Sequence, residues 1–155
     1  MNLTHLHLAL NHLPVLGPAF ALALLLFGVW RKSEDIKKAA LGAFVLIALF
    51  SVPAYMTGEP AEDGVKGLPG VSKQIIEKHE EAASVAFTGL VVIGVVALVG
   101  LLVFRRARPV PSWFSSLVLA VALIVVSLMS WTANLGGQIR HTEIRSNSGP
   151  AGGQQ

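Results

Sequence analysis

Residues 82–104 read AASVAFTGLVVIGVVALVGLLVF, an uncharged apolar run carrying Gly89, Gly94 and Gly100. A helix needs about 20 such residues to cross the roughly 30 Å of hydrocarbon in a bilayer. Three more blocks of the same kind follow on either side: 13–30 (LPVLGPAFALALLLFGVW), 39–57 (AALGAFVLIALFSVPAYMT) and 112–135 (SWFSSLVLAVALIVVSLMSWTANL). Backbone N–H and C=O groups must be satisfied within the segment in lipid, so each block reads as a helix. The composition agrees. Hydrophobic residues make up 53% of the 155 and charged residues 14%, against about 25% charged in soluble domains, and mean hydropathy is +0.63. The expected fold is all-α: an integral membrane four-helix bundle in one domain over residues 1–145, with a disordered polar tail, SNSGPAGGQQ, over 146–155.

The connections set an expected orientation. RKSEDIKK (31–38) supplies Arg31, Lys32, Lys37 and Lys38, and RRAR (105–108) supplies Arg105, Arg106 and Arg108. The longer 58–78 connection dilutes Lys66, Lys73 and Lys78 with Glu59, Glu62, Asp63 and Glu77, and Glu80 and Glu81 follow. Basic short loops face the cytoplasm. Both termini and the long connection then lie outside, on the periplasmic side of a bacterial inner membrane. The Gly- and Pro-rich GEPAEDGVKGLPG reads as irregular. The first twelve residues contain no Lys or Arg, so the first block reads as a retained helix rather than a cleaved signal. The net charge of +3 comes from residues clustered at block ends and does not suggest nucleic acid. Trp113 and Trp131 sit as interfacial anchors.

All five histidines, His5, His7, His12, His79 and His141, fall on the expected outer side. Ionisable groups near a membrane usually serve a site. With Ser72 as N-cap, Ile75, Ile76, His79, Ala82, Ala83 and Ala86 share one helical face, which aims His79 inward. In the fourth block Ser127, Ser130, Trp131, Asn134, Gln138 and His141 recur at three- and four-residue spacing, a polar stripe expected to point into the bundle; inter-helix hydrogen bonding is the plainer account of it. In HLHLALNHLP, His12 lies nearest the hydrocarbon and is the expected inward histidine, ahead of His7. The candidate cofactor ligands are His12, His79, His141 and His7, and a metal would draw on His79, His141 and His12.

Imidazole nitrogen binds haem iron, copper or zinc. There is no cysteine, so no disulfide, no thiolate site and no thioether-linked haem; a haem would be b-type. Two histidines on different helices of a four-helix bundle can hold one, giving an electron-transfer protein working with quinone or a periplasmic cytochrome. Tyr55, Trp131, Asn134 and Gln138 could orient a quinone head group or haem propionates, though anchoring and packing explain each alone. Copper or zinc is the second metal reading, with Met56 near the cluster. HEEAA lacks the second histidine of a zinc-protease motif. No acid–base pair suggests independent catalysis. A different class is a non-redox structural or assembly subunit packed on a larger respiratory or photosynthetic complex, with the glycines of the third block as its contact face.

Several short motifs resemble the DUF2231 family of four-helix bacterial membrane proteins. HLALNHLPVLGPAFALALL resembles its opening histidine–proline segment through His7, His12 and Pro14. PAYMTGEPA resembles the exit of its second helix through Thr57 and Gly58, KHEEAA the histidine opening its third through His79, and NLGGQIRH its ending through Gly136, Gly137 and His141. The resemblance implies a shared outer histidine cluster and no established activity.

Overall fold

A computed structural model describes residues 3–105, 108–141 and 144; the expected tail at 146–155 lies outside them. Among the described residues there are helices and no strands. The elements are α1 (Leu3–Leu10), α2 (His12–Trp30), α3 (Glu34–Met56), α4 (Gly58–Asp63), α5 (Lys73–Val103) and α6 (Ser112–Arg140). Four stretches are long and apolar enough to cross a membrane: Thr4–Trp30, Glu34–Asp63, Lys73–Val103 and Ser112–Ile139. Each of the four apolar blocks falls on one of them.

The long helices close into a ring. α2 packs on α3 and α6, and α5 packs on the same two neighbours, with little contact across the diagonal. Short connections make sequential neighbours antiparallel, the up-and-down arrangement of four-helix bundles. Leu25, Leu41, Phe44, Leu90, Ile93, Val118, Ala122 and Val125 fill its axis. The outside is just as apolar: Phe20, Leu26, Leu49, Phe50, Val85, Leu102, Leu123 and Ile124 are all exposed. A water-soluble surface rarely carries so continuous an apolar belt, whereas lipid is as apolar as leucine and sets no penalty on it.

Without a hydrophobic drive between helices in lipid, close packing must hold them, and small residues allow it. A Cβ added at Gly94 would lie 2.5 Å from the Cβ of Ala48 on α3. One at Gly100 would lie 2.5 Å from the Phe114 ring on α6. One at Gly89 would touch Val125 and Leu128. The glycines of α5 therefore seat its neighbours within the bundle. The expectation that they form a face for another subunit is corrected.

Two connections differ from the sequence reading. α3 starts at Glu34, well before its apolar block, because Ser33 is extended and its hydroxyl accepts from Ile36 N at 3.4 Å. Glu34 and Asp35 occupy the first turn, where acidic groups complement the helix dipole. Lys37 thus lies on the helix, buried, with its Nζ 2.5 Å from Glu34 Oε1 and donating to Val110 O at 3.2 Å. Val110 N donates to Glu34 Oε2 at 2.6 Å. The pair clamps the α5–α6 connection to α3. Lys37→Met should lower stability by about 1–3 kcal/mol, since it leaves a buried carbonyl and a half-buried carboxylate short of a partner. Unfolding in mixed micelles measures this, and Lys37→Met with Glu34→Gln should recover part of the loss.

The second difference is α4. GEPAED was expected to be irregular and is helical. Pro60 falls in the first turn, where a missing N–H breaks no hydrogen bond, and Ala61 is buried. α1 packs chiefly against α4, and together they cover the end of the bundle away from the basic clamp.

Candidate functional site: a histidine pair under α1 and α4

The covered end gathers the polar groups. On α5, His79 is half-buried beside buried Ile76, as its apolar stripe requires. Its Nδ1 is 3.0 Å from Thr132 O on α6. A carbonyl only accepts, so Nδ1 carries the hydrogen, and in the neutral ring Nε2 keeps its lone pair. Gly136 makes this approach possible: a Cβ there would lie 3.1 Å from His79 Cε1. The NLGG motif thus has a steric role. It leaves a flat seat on α6 for the imidazole of α5.

His7 on α1 is held the same way. Its Nδ1 is 3.0 Å from Ala54 O and 3.2 Å from Thr57 Oγ1, at the exit of α3. The Thr57 hydroxyl lies 2.9 Å from Pro53 O and 3.0 Å from Ala54 O, where it donates, so it can accept from His7. His7 Nε2 is then also the bare nitrogen. Gly58 lies alongside, its added Cβ 3.7 Å from His7 Cε1.

Carboxylates frame the pair. Glu62 on α4 and Glu80 on α5 lie close to one another. Lys66 Nζ lies 2.8 Å from Glu62 Oε1 and 3.1 Å from Asp63 Oδ1, and these carboxylates hold the ammonium's pKa above its ordinary value.

The structure distributes the candidate ligands unevenly. His7 is anchored on the exit of α3 and His79 on α6, both at the covered end of the bundle. His12 opens α2 and is exposed, and His141 ends α6, also exposed, its backbone N donating to Gly137 O at 3.0 Å. The expectation that His12 faces inward ahead of His7 is corrected: one turn at Asn11 sets α1 against α4 and turns His7 toward α3. A signal for His7 existed in the Thr57–Gly58 exit, which provides acceptors and room, but using it required knowing that α1 folds back there.

The α6 stripe also turns out differently. Ser127, Ser130, Trp131 and Asn134 are exposed, facing away from the bundle. Ser127 Oγ donates to Leu123 O at 2.9 Å, and Gln138 Nε2 to Asn134 Oδ1 at 2.6 Å, so these groups are satisfied on their own helix. Val118, Ala122, Val125, Met129 and Thr132 take the inward face instead. Beside the stripe, a groove of about 440 Å³ runs between α5 and α6, with Lys78 and Glu81 at its polar end and Val85, Leu128 and Trp131 along its apolar length. Tyr55 stacks on Phe87, ring centroids 4.3 Å apart, which accounts for Tyr55 as a packing residue. Met56 is exposed.

Among the described residues no three or more His, Asp or Glu side chains are grouped to hold a metal ion. No protein-family model, curated protein or solved structure matches the chain.

Proposed function

We propose that this chain is a membrane electron-transfer protein that binds b-type haem through His7 and His79 at the periplasmic end of its bundle. The observation that carries the proposal is the matched anchoring of the two rings. Each Nδ1 is tied to a main-chain carbonyl of another helix, Ala54 O or Thr132 O, which fixes the tautomer and leaves Nε2 to ligate. The donor set suits haem better than copper or zinc. A haem carries four nitrogen ligands of its own, so the imidazoles of His7 and His79 would suffice to hold it, whereas a protein zinc or copper site needs three or four ligands.

A haem would be held by His7 and His79 at the end of the bundle that α1 and α4 cover. Bound there, the haem would supply reversible one-electron transfer. The chain's own residues do the rest: the two carbonyls orient the imidazoles, Gly58 and Gly136 clear their edges, and Lys66 with the acidic pair sets the charge at the rim. The α5–α6 groove is lined by Lys78 and Trp131, the chain neighbours of His79 and Thr132, which would give a lipid-soluble partner such as quinone a place to approach.

The outward stripe on α6 favours, in addition, assembly with another membrane subunit of a respiratory or photosynthetic complex. Polar side chains on a membrane-facing side are a recurrent means of helix association.

The periplasmic placement is tested by labelling. Asp35 and Gln74 are exposed at opposite ends of the bundle. Cysteines at these positions should react from opposite sides of intact cells, with Gln74→Cys labelled from outside. Labelling of Asp35→Cys from outside would reverse the orientation.

A further inference from the structure

A second cleft lies at the other end of the bundle, away from both histidines. It measures about 220 Å³ and is lined by Val29 and Lys32 at the end of α2, Lys37 on α3, and Ser112, Ser115, Ser116 and Leu119 on α6. Three elements thus bring two lysines and three serines to one small space, with Ser115 Oγ donating to Pro111 O at 3.4 Å. We infer that this cleft binds the phosphate of an anionic phospholipid.

The geometry of the two lysines carries the inference. Lys37 is 9% exposed. Its ammonium has three hydrogens, and among the described residues its acceptors are Glu34 Oε1 and Val110 O. The third N–H of this cleft-lining cation can take a further acceptor. Lys32 adds the net charge, since Glu34 balances Lys37. The cleft also meets the N-terminus of α6, whose dipole favours an anion.

The backbone at Lys32 supports the same reading. α2 ends with Ser33 N bonded to Gly28 O at 3.0 Å and Lys32 N to Val29 O at 3.1 Å. This is the helix-ending motif whose left-handed position is usually glycine. Lys32 occupies that position with φ 53°. A side chain there costs about 1 kcal/mol, and the cleft gives the lysine a use.

The apolar wall decides between a lipid and a free ion. Val29 and Leu119 line the cleft, and Val29 is exposed toward the apolar belt. A phosphate held by the lysines and serines would leave its acyl chains to run along these residues. The surrounding face is basic as well, with Arg31, Lys38, Arg105 and Arg108 near it in sequence, which raises the local concentration of anionic lipid.

The test uses the full chain, stripped of lipid in a neutral detergent and titrated with short-chain phosphatidylglycerol, short-chain phosphatidylcholine or inorganic phosphate. Thermal stabilisation reports binding. Phosphatidylglycerol should stabilise the wild type at concentrations where phosphatidylcholine and inorganic phosphate do not. Lys32→Gly should weaken the phosphatidylglycerol response about tenfold or more. It should leave the lipid-free protein at least as stable as wild type, because glycine relieves the left-handed position, so lost binding cannot be mistaken for lost folding. Ser116→Ala should weaken binding less, and Arg108→Gln, outside the cleft, should change it by less than about twofold. Equal stabilisation by inorganic phosphate would overturn the lipid assignment. An unchanged response in Lys32→Gly, or a loss in Arg108→Gln as large, would overturn the site.

Discussion

Gly94→Leu should unfold or severely loosen the bundle rather than detach it from a partner. A single Cβ at position 94 already falls 2.5 Å from the Cβ of Ala48, and neither atom belongs to a flexible side chain. Gly94 lies well inside α5, between buried Ile93 and the buried Ala97 one turn on, so the clash can be relieved only by separating α5 from α3. Overpacking of a core costs about 1–3 kcal/mol for modest additions, and leucine adds far more volume than a methylene. The expected result is a loss of about 3 kcal/mol or more, read as a lower midpoint of unfolding in mixed micelles. Gly94→Ala should show a smaller loss in the same direction. Gly42 provides the contrast, since nothing lies within 4 Å of its added Cβ; Gly42→Ala should be neutral or slightly stabilising through helix propensity. If Gly94→Leu were folded and as stable as wild type, the close α3–α5 contact would be wrong.

The second large effect concerns the histidine pair. His79→Ala should abolish or greatly weaken haem binding, leaving at most a high-spin species with one protein ligand. The helix itself should persist, because alanine is the best helix former and position 79 is only half-buried. His7→Ala should act alike, whereas His12→Ala and His141→Ala, both at exposed positions, should leave the spectrum unchanged. Gly136→Val is a separate probe of the seat. Its side chain would occupy the space of the His79 ring, 3.1 Å from Cε1 at the Cβ alone. It should displace the imidazole from Thr132 O and reduce haem retention with both histidines intact. Loss of haem in His12→Ala with retention in His7→Ala would move the site to α2.

The reach of the sequence follows from what lipid demands. Lipid contact makes a spanning helix apolar on every side, so the runs at 13–30, 39–57, 82–104 and 112–135 were plain to read. The same uniformity hides rotation: an all-apolar helix does not reveal which face meets a neighbour. The glycines of α5 were visible, but whether they met Ala48 and Phe114 or another subunit was not. The α6 stripe failed for a related reason. Serine, asparagine and glutamine can bond within their own helix, as Ser127, Asn134 and Gln138 do, so a polar row need not point inward. His79 was legible because its part of α5 is amphipathic, with Lys73, Glu77, Lys78 and Glu81 marking the water side. His7 was not, because its setting depends on α1 meeting α4, a contact between two short elements distant in sequence.

The most direct test of the haem proposal is a pyridine haemochrome assay on the wild-type protein, expressed with adequate haem supply and purified in mild detergent. One b-type haem per chain, with a reduced spectrum characteristic of two imidazole ligands, is the predicted result. A colourless protein that takes up no haem when it is added, while remaining folded by circular dichroism, would contradict it.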